Sequence, residues 1–300
     1  MNTQVEIAGV EFKNPVMVAS GTFGSGEEYS EFVDLDRLGA VVTKGVANVP
    51  WPGNETPRVA ETPSGMLNAI GLQNPGIDLF IQRDIPFLRQ YDTRIIVNVC
   101  GRSVEDYREV VIRLANQPVD MLEINISCPN VKEGGIAFGQ DPNAVESITR
   151  ACKEVAAQPV IMKLSPNVTD IAAMARAAEA GGADAVSLIN TLTGMKIDVE
   201  TRSFVLANRT GGLSGPAIHP IAVRMVYQAA QAVDIPVIGM GGIQTAEDAL
   251  EMILAGATAV SVGTANFTDP EASVKVVEGI EDYLRRSGAS DVRGLIGQVS

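Results

Sequence analysis

Eight short apolar runs rich in β-branched residues recur along the chain, and this alternation constrains the fold more than any other feature. Each run is followed by a polar or glycine-bearing turn and then by a helical pattern. The runs span residues 16–20, 40–45, 94–100, 121–127, 159–165, 185–191, 236–241 and 259–264. Strand–helix alternation repeated eight times predicts an α/β fold, a parallel (β/α)₈ TIM barrel. A doubly wound sheet is the alternative, disfavoured because no glycine fingerprint of the required form follows the first run.

Other local signals support the barrel. Three well-marked helices are predicted over residues 103–117, 169–181 and 245–256. Ser103 and Thr245 are the expected N-caps of the first and third, because each is followed three residues later by an aspartate. Residues 5–12 predict a β-hairpin turning at Ala8-Gly9, which we expect at the bottom of the barrel.

Long connections follow the second, fourth and sixth strands. Residues 46–74 and 192–220 exceed the usual length of a strand-to-helix loop. All of them leave the carboxyl ends of strands, which is the catalytic face of a barrel. We therefore expect three active-site loops on one barrel domain that spans residues 1–300.

Composition excludes several classes of function. A net charge of −13 disfavours nucleic-acid binding. The three cysteines include no C-x-x-C pair, and His219 is the single histidine. We therefore expect no metal site and no cysteine-held cluster within this chain. Without a signal peptide or a long apolar stretch, and with few cysteines, the protein is expected in the reducing cytoplasm.

Polar residues within the apolar strands predict a ligand site. The outer face of each strand must be apolar against the helices, so polar side chains should point into the barrel. They are Thr43 or Lys44, Asn98, Glu123, Asn125, Ser127, Lys163 and Asn190. A structural ion pair would explain one buried lysine, whereas two lysines and three asparagines at strand ends favour a bound ligand.

Glycines end the last two strands, in Gly239-Met-Gly-Gly-Ile243 and Ser261-Val-Gly-Thr-Ala265. They allow backbone N–H groups to approach a phosphate, with Ser214-Gly215 nearby, although turn glycines are the alternative explanation. A phosphorylated cofactor would suit this site as well as a phosphorylated substrate. A planar, carbonyl-rich cofactor would then use the polar groups Asn98, Asn125 and Lys163.

Cys128 lies at a strand-to-loop junction, in Asn125-Ile-Ser-Cys-Pro-Asn-Val-Lys-Glu-Gly-Gly135. A thiol there, followed by Gly134-Gly135, suggests a reactive group under a movable lid. The alternative is a half-buried cysteine at a strand end.

Together these motifs resemble the dihydroorotate dehydrogenase family, specifically the catalytic subunits of its class 1B. The resemblance covers nearly the whole chain. It rests on Ala19-Ser-Gly-Thr-Phe23, Thr43-Lys-Gly45, Asn68-Ala-Ile-Gly-Leu-Gln-Asn74, Asn125-Ile-Ser-Cys-Pro-Asn130, Lys163-Leu-Ser-Pro166, Asn190-Thr191, Gly241-Gly242 and Gly263-Thr264. It implies FMN at the barrel mouth and oxidation of (S)-dihydroorotate to orotate in pyrimidine (UMP) biosynthesis.

The resemblance also assigns roles to residues. Cys128 would be the catalytic base that removes the C5 proton, with Lys44 beside it, while a hydride passes from C6 to flavin N5. The implied FMN contacts are Ser20, Lys44, Gly45, Asn98, Asn125, Lys163, Ile189, Gly215, Gly241, Gly242, Gly263 and Thr264. The implied substrate contacts are Lys44, Asn68, Ala69, Ile70, Gly71, Leu72, Asn125, Asn190 and Thr191.

Class 1B implies a second subunit carrying FAD and a [2Fe–2S] cluster, which passes electrons to NAD⁺. The family suggests a homodimer of catalytic chains within a heterotetramer. One alternative is the class 1A enzyme, which reduces fumarate without a partner. A Schiff-base aldolase using Lys163, or a barrel that binds a phosphorylated ligand without turnover, are the others.

Overall fold

A computed structural model describes residues 1–127 and 138–299 of the chain. Within these ranges, parallel strands close into an eight-stranded barrel, in the order β3, β4, β7, β8, β9, β10, β15, β16. The barrel strands are β3 (Val16–Val18), β4 (Ala40–Val42), β7 (Arg94–Val99), β8 (Met121–Asn125), β9 (Val160–Lys163), β10 (Ala185–Leu188), β15 (Val237–Met240) and β16 (Ala259–Val262). The barrel closes where Val260 of β16 pairs with Val16 of β3. The predicted fold class is confirmed.

The strands are buried on both faces, as a parallel sheet covered by helices requires. Every residue of β8, β9, β10, β15 and β16 is buried. The main apolar core therefore lies between the barrel and the surrounding helices.

Helices surround the barrel. They are α1 (Ile77–Leu79), α2 (Ile85–Leu88), α3 (Val104–Leu114), α4 (Pro142–Lys153), α5 (Ile171–Ala180), α6 (His219–Ala230), α7 (Ala246–Leu254), α8 (Ala265–Thr268) and α9 (Ala272–Ser287). Ser103 and Thr245 both form capping boxes, with Asp106 and Asp248 respectively. The cap of α5 is Asp170, one residue beyond the predicted start at Thr169.

The expected helix after the first barrel strand is wrong. Residues 22–37 contain two short 3₁₀ helices, Tyr29–Glu31 and Leu35–Arg37. Gly21, Gly24 and Gly26 all have positive φ, which a continuous helix excludes. After the second barrel strand, α1 and α2 flank a π-helical turn at Phe80–Asp84.

The predicted N-terminal hairpin is present. Strands β1 (Val5–Ile7) and β2 (Val10–Phe12) pair antiparallel, and Ala8 and Gly9 both adopt positive φ in the turn. Lys13, just beyond the hairpin, donates a hydrogen bond of 2.8 Å to the carbonyl of Asp36, upstream of β4. The hairpin thus lies at the bottom of the barrel, with its apolar side chains in the core.

Strands within the second and sixth loops form an additional sheet that the sequence did not predict. The strands are β5 (Val59–Thr62), β6 (Gly65–Asn68), β11 (Leu192–Met195) and β14 (Thr210–Ser214), with a separate hairpin of β12 (Ile197–Asp198) and β13 (Ser203–Phe204). We call the four-stranded sheet the mouth sheet. Its central pairing joins β6 of the second loop to β14 of the sixth. Two distant loops are therefore held as one unit above the barrel.

Across the described ranges, none of the helices combines the length and the apolar character needed to cross a membrane.

Candidate active site

A cleft opens at the carboxyl ends of the barrel strands, under the mouth sheet. It contains about 1170 Å³ of empty space, including the part open to solvent. Its walls come from most barrel strands and from both long loops. The residues that line it are Ala19, Ser20, Gly21, Thr22, Lys44, Gly45, Val59, Met66, Asn68, Ile70, Gly71, Leu72, Asn98, Asn125, Lys163, Ile189, Asn190, Thr191, Ser214, Ile218, Met240, Gly241, Gly242, Ser261, Gly263, Thr264 and Phe267.

A buried ion pair lies at the floor of the cleft. Lys163 Nζ is 3.5 Å from Glu123 Oε1, and the side chains are 5% and 2% exposed. Lys163 Nζ also donates to Ser20 Oγ at 3.1 Å, and Ser187 Oγ donates to Glu123 Oε2 at 2.8 Å. Lys163 is thus held by Glu123 below the cleft and by Ser20 at its wall.

Asparagines extend this polar floor along the cleft. Asn98 Nδ2 donates to Glu123 Oε1 at 2.6 Å, and Asn125 Nδ2 donates to Asn98 Oδ1 at 3.3 Å. Ser127 Oγ donates to Asn125 Oδ1 at 3.0 Å and accepts from Asn190 Nδ2 at 2.8 Å. The chain of hydrogen bonds links four barrel strands or their ends, β7, β8, β9 and β10.

The opposite end of the cleft is built from glycines. Gly241 and Gly242 have φ of 132° and 73°. A Cβ on Gly242 would lie 2.7 Å from His219 Cβ and 2.8 Å from Gly215 O, so the backbone here excludes any side chain. Thr264 Oγ1 donates to Ser214 Oγ at 2.8 Å across the same end. A cradle of bare glycine backbone such as this suits a phosphate.

His219 supports this glycine end rather than lining the cleft. Its Nδ1 donates to Gly241 O at 2.8 Å, and its Nε2 lies 3.2 Å from Glu251 Oε2. These contacts give His219 a structural role at the start of α6.

Two predicted contacts lie outside the cleft lining. Ala69 is 1% exposed and packs in a small apolar cluster with Ala60, Leu67 and Leu206. Its side chain therefore faces away from the cleft that its neighbours Asn68 and Ile70 line. Gly215 lines an adjoining cleft that shares Gly242 and Thr264 with the main one.

Two of the three cysteines, Cys100 and Cys152, lie among the described residues, and both are buried. Cys128, the predicted base, lies outside the described residues. Cys152 is fully buried in α4, and burial raises the pKa of its thiol to about 12. Cys100 is also fully buried, beside Trp51 and Ala47. Cys152 is therefore unsuited to proton transfer at neutral pH.

Ser261 is a cleft residue that the sequence reasoning missed. It lies on β16, is 1% exposed, and its Oγ has no hydrogen-bond partner among the described residues. The rule that singled out Lys163, a polar residue within an apolar strand, applies equally to Ala-Val-Ser261-Val. A buried hydroxyl without a partner is costly unless a ligand satisfies it.

Comparisons with known proteins agree with the site. The family model for dihydroorotate dehydrogenase matches residues 2–284. A curated protein of Lachnoclostridium phytofermentans, "Dihydroorotate dehydrogenase B (NAD(+)), catalytic subunit", is 69% identical over 299 residues, covering 100% of both chains. A protein of the same name from Alkaliphilus metalliredigens is 63% identical and covers 100% of this chain and 99% of its own.

A solved structure supports the fold. The crystal structure of DHODH in complex with ferulenol from Eimeria tenella superposes with a TM-score of 0.82 at 24% identity, covering 99% of this chain and 88% of that one. With the family model matching most of its length, the chain belongs to the dihydroorotate dehydrogenase family.

Proposed function

We propose that this chain binds FMN and oxidises (S)-dihydroorotate to orotate, as the catalytic subunit of an NAD⁺-linked enzyme of pyrimidine biosynthesis. The observation that carries the proposal is one cleft with two chemically different ends. Lys163 and the asparagines lie at the polar floor, while Gly241 and Gly242 form the cradle at the other end.

The residues fit FMN. At the cradle, a Cβ on Gly241 would approach Ala222 Cβ to 2.7 Å, so the backbone remains bare for a phosphate. Between the two ends, the buried Ser261 Oγ offers a hydrogen bond that the described residues leave unused. We assign the phosphate to Gly241, Gly242, Gly263 and Thr264, and the flavin ring to Ser20, Gly45, Asn98, Lys163 and Ile189. When bound, FMN supplies the acceptor for the hydride that leaves C6 of dihydroorotate.

Substrate would bind where the asparagines meet the mouth sheet. We assign its carboxylate and ring polar groups to Lys44, Asn68, Asn125, Asn190 and Thr191, beside the backbone of residues 70–72. These side chains line one wall of the cleft. Asn167 Nδ2 donates to Thr191 O at 3.0 Å, which holds that strand end in place.

Cys128 is the proposed base, taking the C5 proton of dihydroorotate onto its thiolate. Cys128→Ala should slow flavin reduction by dihydroorotate by about 10²–10⁴-fold, the usual contribution of a positioned base. Stopped-flow absorbance without air measures this rate. Cys152→Ala is the matched control, because Cys152 lies buried in α4, and its rate should equal that of the wild type. A Cys128→Ala rate equal to that of the control contradicts the assignment.

The proposal as a whole is tested by the visible spectrum of the purified chain without air. A yellow protein that bleaches on adding dihydroorotate supports it. A yellow protein that stays yellow rejects this substrate, and a colourless protein that takes up no FMN rejects the cofactor.

We further propose a partner subunit with FAD and a [2Fe–2S] cluster, within a cytoplasmic heterotetramer. The support is the name that the two relatives share, "Dihydroorotate dehydrogenase B (NAD(+)), catalytic subunit". Turnover of the isolated chain with fumarate would favour class 1A instead, whereas turnover with NAD⁺ that requires a second subunit supports class 1B.

A further inference from the structure

Glu123 is a buried carboxylate that contacts both the lysine and the asparagine series of the polar floor but does not line the cleft. Its side chain is 2% exposed, and it contacts Lys163, Asn98 and Ser187 through its two oxygens. Lys163 is the charged group that faces it. A buried carboxylate with three partners must be explained, because desolvating it is costly.

The carboxylate fixes the direction of the hydrogen bonds that follow. An ionised carboxylate can only accept, so Asn98 must turn its NH₂ group toward Glu123 and its carbonyl toward Asn125. Asn125 in turn donates to Asn98 and accepts from Ser127. Ser127 accepts from Asn190, whose own carbonyl accepts from Thr191 N at 2.7 Å. Every side-chain donor in this series points back toward Glu123.

This direction decides what the cleft offers to a ligand. Each amide NH₂ has two N–H donors, and the series uses one of them. The second N–H of Asn98, Asn125 and Asn190 is left for whatever occupies the cleft that these residues line. A flipped amide would present a carbonyl oxygen instead and would repel the oxygens of a ligand.

We propose that Glu123 is a positioning residue that keeps the asparagines of the cleft as hydrogen-bond donors and holds the charge of Lys163 beside the cofactor. The inference rests on the proposed function, since it matches the donor-rich cleft to an acceptor-rich anion such as orotate. By keeping these amides as donors, Glu123 favours ligands that carry several oxygen atoms on one planar ring.

Glu123→Gln is the direct test. Glutamine has the same shape, but it can present either an NH₂ group or a carbonyl to Asn98, so the amide direction is no longer fixed. The variant should weaken orotate binding about tenfold, equivalent to about 1.4 kcal/mol. Because Lys163 loses its negative partner, the midpoint potential of bound FMN should rise, by about 30 mV for a tenfold change in a two-electron equilibrium.

The readouts are titration of the flavin spectrum with orotate and equilibrium potentiometry, neither of which needs turnover. Ser273→Ala is the control, because it removes a buried hydroxyl on α9, away from the cleft. The inference predicts wild-type affinity and potential for this control. It is overturned if Glu123→Gln behaves like wild type, or if Ser273→Ala reproduces both effects, which would indicate a general response to changing a buried polar group.

Ser127→Ala tests the series independently if Glu123→Gln does not fold. It breaks the link between Asn125 and Asn190 and leaves the Glu123–Lys163 pair in place. Orotate affinity should fall several-fold with the potential unchanged, and unchanged affinity would overturn the inference. A wild-type protein that retains no FMN, or that dihydroorotate does not bleach, refutes the proposed function itself. That result is distinct from a working wild type with an indistinguishable Glu123→Gln variant.

Discussion

At the level of single residues, replacing the buried Ser261 should weaken cofactor binding with little effect on the stability of the protein. Ser261→Ala removes a group with no hydrogen-bond partner among the described residues, so the free energy of unfolding of the cofactor-free protein should change by less than about 0.5 kcal/mol. FMN affinity should fall about fivefold, the value of one net hydrogen bond of about 1 kcal/mol. Fluorescence quenching on titration with FMN measures it.

Ser273→Ala is the matched control for that prediction. Ser273 is also fully buried, and its Oγ is likewise unpartnered within the described part of the chain, but it lies on α9, away from the cleft. Its FMN affinity should be that of the wild type. Equal FMN affinities for the two variants would show that Ser261 does not contact FMN.

Residue identity within an apolar strand was enough to predict the polar floor of the cleft. Asn98, Asn125 and Lys163 could be recognised because the outer face of each barrel strand packs against helices. Polar side chains in these strands must therefore point into the barrel. The role of Glu123 could not be predicted in this way, because it depends on which side chains from three other strands contact the carboxylate. The burial of Ala69 depends on the mouth sheet, which the sequence did not reveal.

At the scale of elements, the turn after β15 is shaped by steric exclusion as well as by backbone conformation. Gly242→Ala should lower the free energy of unfolding by about 2–4 kcal/mol, combining a strained φ of 73° with a close approach to His219. FMN retention should fall with it. Urea denaturation and flavin content after gel filtration are the measurements.

Gly288→Ala distinguishes the two causes of that loss. Gly288 has the same φ of 73°, and a Cβ there would meet nothing within 4 Å. Its variant should lose about 1–2 kcal/mol, the cost of the backbone conformation alone. If both variants lose equal stability, the steric argument at Gly242 is wrong.

The barrel strands were predictable because each is an apolar run with a nearby turn, and the capping boxes marked helix starts. The mouth sheet carries neither signal. Its strands are short and only partly buried, and three of them, such as Thr210–Ser214, contain glycine, so they lack apolar runs. They exist because loops from two parts of the chain meet above the barrel and pair.

At the scale of the whole molecule, Asp291 connects the two ends of the described chain. It accepts hydrogen bonds from Asn2 Nδ2 at 3.1 Å and from Arg293 N at 2.9 Å, and Asn2 pairs with it as an isolated β-bridge. The Arg293 side chain is the main cause that holds the pKa of Asp291 well below its ordinary 3.8, with help from Asn2. The stabilisation is therefore complete above pH 3.8 and is lost as the pH falls toward the lower folded value.

Asp291→Asn should lower the free energy of unfolding by about 1 kcal/mol at pH 7, as for the loss of a helix cap. The difference from wild type should stay constant from about pH 8 to pH 5 and shrink below about pH 4. Urea denaturation across this range measures it, with Asp234→Asn, at an exposed aspartate, as the control. A difference that grows as the pH falls would contradict the role given to the Arg293 pair.

The mouth sheet also limits how early during synthesis a growing chain can bind a cofactor. Leu67 pairs with Leu213, and the barrel closes only when Val260 reaches Val16. Contacts between such distant segments form late, because the intervening chain must first be made and ordered. A nascent chain halted before β14 would lack one wall of the cleft, and one halted before β16 would lack Gly263 and Thr264. We therefore expect flavin uptake to follow the completion of the cleft, so that the rate of uptake would report the last steps of folding.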